Sequence, residues 1–211
     1  MCCRFFIELS KEMQTLIEKA ENSPLRSRMS IALSKPLIKE GEIRPMDMVS
    51  VIASSKTGRE AVFPMVWGFS IPRTKNPVFN ARVESAGEKD LFRDSWESRR
   101  CVIPCSWYIE WEHLKDDFTG KTKTGDKYAI QPKNSSITYL AGLYRMEEGH
   151  GITYPVFTVL TREPSQEISF IHDRMPLILP QTCISDWIRP DCKPEEIVGQ
   201  AWTDMVFERT A

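Results

Sequence analysis

From Cys3 to Leu9 the apolar residues Phe5, Ile7 and Leu9 fall at every second position, the period of a half-buried strand. The period then lengthens. Met13, Leu16, Ile17 and Ala20 recur at helical spacing behind Ser10, a residue type that caps helix starts, and Asn22-Ser23-Pro24 ends the run. Residues 25–50 carry no single period, although Gly41–Pro45 predicts a turn into extended chain, since proline biases its predecessor away from the α region. Met48–Ala53 and Ala61–Phe69 predict two strands joined by the polar turn Ser54–Glu60. Ile71–Pro77 is rich in breakers and predicts a loop, and Lys89–Arg99 carries Leu91, Phe92 and Trp96 at helical spacing. The apolar run from Cys101 ends on Ile109-Glu110-Trp111 and predicts a strand, followed by a polar hairpin loop over Asp116–Asp126. Tyr128–Gln131, Ile137–Arg145 and Tyr154–Thr161 predict three more strands through their β-branched and aromatic content. Pro164 predicts a short helix through Ile168, Leu177–Leu179 a short strand, and Cys183–Ile188 and Glu195–Ala201 two helices that finish the chain. Closely spaced strands with helices tucked between them predict an α+β fold with a curved or barrel-like sheet.

Composition narrows the function classes. The 211 residues are 41% hydrophobic and 27% charged, a balance expected of a globular soluble chain of one or two domains. Lys+Arg number 28 against Asp+Glu 29, so a polyanion partner would have to meet a local basic patch rather than bulk charge. No apolar run approaches ~18 residues and no basic segment precedes an apolar core, so neither a membrane span nor a secretory signal is expected. Cytoplasmic residence follows as the expectation. The spacings Cys101-x3-Cys105 and Cys183-x8-Cys192 match zinc sites poorly, so no metal or cofactor is expected and the cysteines read as reduced packing residues.

The first four residues carry the most unusual chemistry. Removal of Met1 would give Cys2 an α-amine beside its thiol, groups that titrate near ~7.7–8.0 and ~8.5 when unperturbed. An amine attacks aldehydes to give a Schiff base, and a neighbouring thiolate can add to the imine, closing a thiazolidine. The ordinary alternative is a frayed terminus. A strand beginning at Cys3 would hold Cys2 against the body of the fold.

Glu110 sits between Ile109 and Trp111, where desolvation would raise its pKa into a useful acid–base range, unless alternation turns it to solvent. His172, beside Asp173 and Arg174, offers a titratable imidazole, whereas His113 and His150 read as solvated loop residues. Asn80 and Arg82 combine an orienting amide with a guanidinium suited to phosphate. Arg4, Arg44, Arg82 and Arg174 would form a basic patch if they converge. Trp67, Trp107 and Trp111 are either base-stacking platforms or core residues.

Together these stretches resemble the SOS-response-associated peptidase (SRAP) family, whose members crosslink abasic sites in single-stranded DNA. The matches are Met1-Cys2-x-Arg4, Arg44-Pro45, Trp67-Gly68, Asn80-Ala81-Arg82-x-Glu84, Arg100-Cys101-x-x-Pro104 with Glu110-Trp111, and His172-x-Arg174-Met175-Pro176. The family usually has glycine where this chain has Cys3 and Trp107. The resemblance implies one domain over residues 1–211, with a β-barrel-like, mostly antiparallel sheet, short peripheral helices and a DNA groove. It implies catalytic roles for Cys2 as nucleophile, Asn80 as holder of the terminal amine, Glu110 as general acid/base and His172 as proton carrier. DNA contacts are implied for Arg4, Pro45, Trp67, Arg82 and Arg174, and the expected partner is single-stranded DNA holding an abasic site, met by a monomer. Two other readings share part of the pattern: an N-terminal-nucleophile amidohydrolase acting on a small amide, and a non-catalytic nucleic-acid-binding module.

Overall fold

The computed structural model describes residues 3–72, 74, 76–115 and 122–210. Its strands are β1 (Arg4–Ile7), β2 (Gly41–Ile43), β3 (Met48–Ser54), β4 (Glu60–Trp67), β5 (Asn80–Arg82), β6 (Arg100–Cys105), β7 (Trp107–Lys115), β8 (Thr122–Pro132), β9 (Thr138–Gly149), β10 (Ile152–Arg162), β11 (Met175–Pro176) and β12 (Met205–Thr210). The helices are α1 (Lys11–Glu21), α2 (Pro24–Leu33), α3 (Val83–Ala86), α4 (Arg93–Ser98), α5 (Ile184–Ile188) and α6 (Pro194–Val198). No helix among the described residues is long and apolar enough to cross a membrane.

Five strands close on themselves in the order β10-β4-β3-β6-β9 and back to β10, forming a barrel. The β10–β4 pair is parallel and the other four are antiparallel, so the barrel is mixed. Short β5 and β11 add to β10 at its far end. A second, antiparallel sheet runs β12-β8-β7-β1-β2. The α+β barrel expected from the strand spacing is therefore the architecture observed.

Side-chain size sets how tightly the barrel closes. Gly142 on β9 faces inward, where a Cβ would lie 2.7 Å from Ile103 Cδ1 and 2.8 Å from the Thr158 carbonyl, so only glycine fits. Trp67, Phe157, Phe5 and Phe69 fill the space beneath with less than 1% of their surface exposed. Arg100 is also buried, against the Trp187 ring, and directs every N–H of its guanidinium at main-chain carbonyls, those of Trp96, Glu97, Trp187, Arg189 and Cys192. A buried cation without a carboxylate is tolerated because four of these carbonyls, at or next to the C-terminal ends of α4 and α5, are themselves in need of donors.

The barrel hands the chain to the second sheet at Ser106. Its hydroxyl accepts the Glu8 N–H at 2.8 Å and its carbonyl accepts the Thr138 hydroxyl at 2.8 Å, so the corner is pinned from both sides. The single strand predicted through Trp111 is thus two strands. Other expectations also change. Pro24 does not merely end α1 but opens α2, capped by the Ser23 hydroxyl on the Leu25 N–H. The polar stretch after Lys115 is partly strand, since β8 starts at Thr122, while residues 116–121 lie outside the described residues. The helix placed over Lys89–Arg99 is confined to α4, and the chain ends on β12 rather than on helices.

Candidate functional site at the start of β1

β1 lies between β7 and β2, with Arg4 opposite Ile109 and Phe5 opposite both Tyr108 and Ile43. In this antiparallel register the residue after Ile109 is Glu110, so the chain immediately ahead of Arg4 approaches that carboxylate. Cys3 is exposed as a residue, yet partial desolvation, reinforced by the Glu110 charge, pushes its thiol above the ordinary range. Cys2 and Met1 lie outside the described residues.

Glu110 is 5% exposed, which settles the question of which way alternation turns it. Burial raises its pKa above the usual carboxylate value, and the nearby Asp173 charge raises it further. The Trp111 N–H reaches its Oε1 at 3.3 Å.

His172 is 6% exposed and its Nδ1 accepts the Arg174 N–H at 3.0 Å. The Asp173 Oδ1 is also 2.7 Å from that nitrogen. One ring nitrogen cannot accept from an amide and donate to a carboxylate at once. Burial, with the adjoining His113 ring, lowers the His172 pKa to about 4, which favours the neutral ring that accepts from Arg174 and carries its proton on Nε2. The Asp173 contact then belongs to the imidazolium.

The residue that sequence reasoning missed is His113. It is not in a loop, because β7 continues through Lys115, and its ring packs against that of His172, tilted by 46° with centroids 3.9 Å apart. Its backbone N–H donates to the Ile171 carbonyl at 2.8 Å, docking the His172 loop on β7 beyond the residues that β1 covers. Polar neighbours (Glu112, Lys115) hid this strand position.

Asn80 opens β5, opposite Val159. The preceding carbonyl, of Phe79, accepts the Trp67 indole N–H at 2.9 Å. Trp67 has no exposed surface, so it can influence a nucleic-acid strand only through what it supports. Gly68 follows at φ +129°, a conformation side chains rarely adopt, and an added Cβ would lie 2.9 Å from the Phe79 ring. Pro45 is half-buried in a segment tied to the same tryptophan, since the Met46 N–H donates to the Trp67 carbonyl at 2.9 Å.

The arginines do not form a bare basic patch. Arg4 pairs with Glu42 and lies over the Trp111 ring, 5.1 Å from its centroid; Arg44 shares the same Glu42. Arg174 grips Glu84 with both terminal nitrogens at 2.8 Å and donates to the Thr161 carbonyl at 2.7 Å. That fork joins α3 and β10 to the His172 loop. Arg82 is exposed beside it. Cys3, Arg4, Glu110, Trp111 and the His172–Asp173 pair thus gather at one end of β1, with Asn80, Arg82 and Arg174 on the adjoining barrel rim. Trp107 faces outward and stacks on Phe6, centroids 4.8 Å apart and planes 4° apart.

Known proteins share this arrangement of sequence and fold. The abasic site processing protein YoaM of Bacillus subtilis (strain 168) is 35% identical over 131 residues, which cover 59% of this chain and 55% of that protein. YoqW of the same organism, also described as an abasic site processing protein, is 30% identical over 164 residues, 72% of this chain and 70% of that one. A solved structure from Bacteroides thetaiotaomicron has the same fold, with a TM-score of 0.73 at 21% identity over 100% of this chain and 92% of that one. Residues 1–207 match the SOS response associated peptidase (SRAP) family, and by that match the chain belongs to it.

Proposed function

We propose that this protein processes abasic sites in single-stranded DNA by capturing the ring-opened sugar through Cys2. Once Met1 is removed, the α-amine adds to the aldehyde and loses water to give an imine. The thiolate then adds to the imine carbon, the nitrogen takes a proton, and a thiazolidine closes. Abasic nucleotides in single strands suit this chemistry, since no pairing has to be broken to expose the aldehyde.

What supports this reading most is the β1–β7 register, which sets Cys3 toward a buried carboxylate with a raised pKa. Such a carboxyl holds its proton to higher pH than an ordinary carboxylate, can give it to the departing hydroxyl during imine formation, and can act in the removal of Met1. Asn80 would orient the amine. His172, neutral with its proton on Nε2, would exchange protons with the sugar oxygen and assist reversal. Arg4 and Arg82 would meet phosphates, with Arg174 doing so in exchange for Glu84, while Pro45 and Trp67 shape the strand's path from behind.

The test is a denaturing gel after incubation with single-stranded DNA holding one abasic site. Wild type should give a heat-stable shifted band, Glu110→Gln a slower one and Cys2→Ala none. An undiminished band with Cys2→Ala would remove the assignment. Intact mass of the purified protein should show Met1 absent.

A further inference from the structure

His113, His172 and Asp173 each offer one ligand-type atom, and the three atoms lie within 4.8 Å of one another. They come from two elements, β7 and the loop before β11, which the His113 N–H to Ile171 carbonyl bond holds together. His172 is buried, while His113 and Asp173 are exposed and leave one side of the cluster open to solvent. Two imidazoles and a carboxylate form a donor set of intermediate softness, matched to zinc-class cations rather than to magnesium or calcium.

We propose that His113, His172 and Asp173 bind a divalent transition cation of the zinc class, and that the bound cation silences His172. At zinc–ligand distances of about 2.0–2.1 Å, tetrahedral ligand atoms stand roughly 3.3 Å apart. Asp173 Oδ1 and His172 Nδ1 are already 2.7 Å apart, so assembly asks for movement of the two exposed side chains around a fixed His172. Three protein ligands leave the fourth position to water, and the cation takes the His172 Nδ1 lone pair, displacing the Arg174 backbone N–H that it otherwise accepts and barring the imidazolium through which the ring would exchange protons. The occupancy rests on this geometry alone. Only its effect rests on the role assigned above to His172.

Binding is therefore measured first on Cys2→Ala protein, where no crosslinking chemistry operates. Titration calorimetry with zinc chloride should give one ion per chain. His113→Gln and Asp173→Asn, both at exposed positions and checked for folding by circular dichroism, should each lose at least tenfold in affinity, while Cys3→Ser keeps it. Cobalt(II) should give visible d–d bands without a thiolate-to-metal charge-transfer band. Absence of saturable binding, unchanged affinity in His113→Gln, or a thiolate band overturns the site. With Cys2 intact, zinc should slow adduct formation, a chelator should restore it, and His113→Gln should remove the sensitivity. Binding without slowed adduct formation overturns the silencing while leaving the site.

Discussion

Phe5 sets its ring 5.1 Å from that of Trp67, tilted by 40°, and so fixes the first strand of the chain to the barrel. The same indole donates to the Phe79 carbonyl, one residue before Asn80. The start of β1 and the position of Asn80 therefore share one support. Trp67→Phe keeps an aromatic ring there but removes the N–H. It should cost about 1–3 kcal/mol of stability by urea unfolding, from the lost bond and the unfilled space. It should also slow adduct formation several-fold, with smaller change in DNA affinity. Stability loss without a slower rate would separate Trp67 from the chemistry.

Glu110 gives a pH signature with a definite sign. Burial first, and the Asp173 charge next, raise its folded pKa above the unfolded value. Its contribution to stability is then intact at pH values below the ordinary carboxylate pKa of about 4.3, and is lost as pH rises through the folded pKa. Glu110→Gln removes that loss. The variant should melt above wild type at pH 8, and the gap should close toward pH 4. Melting curves that stay parallel across this range would contradict a raised carboxyl at this position.

Glu84 and Arg174 give a test of how the DNA backbone is met. The guanidinium fork is filled by a carboxylate, and this holds the Glu84 pKa below the usual range. Glu84→Gln weakens that grip and makes Arg174 available to phosphate. Affinity for single-stranded DNA at low salt should rise several-fold. The slope of log K against log salt should steepen by about 0.7, the value for one further phosphate contact on a single strand. An unchanged slope would make Arg174 a strut between α3 and the His172 loop.

Much of this architecture is legible where hydrophobic periodicity reports burial. Phe5 and Ile7 mark β1, Met13, Leu16, Ile17 and Ala20 mark the buried face of α1, and the apolar runs of β3 and β4 mark barrel strands. The signal fails where burial is slight. In β12 only Met205 is buried, and in α2 only Met29, so neither leaves a periodic trace. Glu110 announced itself by its apolar neighbours, but His113 did not, because what it touches is His172, 59 residues on in the chain and across a loop. Arg4 and Arg174 are visible as cations, whereas nothing local marks Glu42 and Glu84 as their partners. Charge pairing across a fold leaves no local pattern.

Arg100 stood out in the sequence only as part of a motif, yet it predicts the largest stability effect. Its five N–H groups meet the carbonyls of Trp96 and Glu97 at the end of α4, Trp187 at the end of α5, and Arg189 and Cys192 beyond it. Lysine has three donors on a single nitrogen and cannot span these positions. Arg100→Lys leaves at least two buried carbonyls without a donor, each costing about 1–3 kcal/mol. A loss of roughly 3–5 kcal/mol corresponds to about 6–20 °C in melting temperature for a chain of this size. The adduct-forming rate of the folded variant at 25 °C should stay near wild type, because these carbonyls lie on α4, on α5 and just after it rather than at the start of β1. A rate that falls with the melting temperature unchanged would mean that Arg100 acts on the site and not on the frame around it.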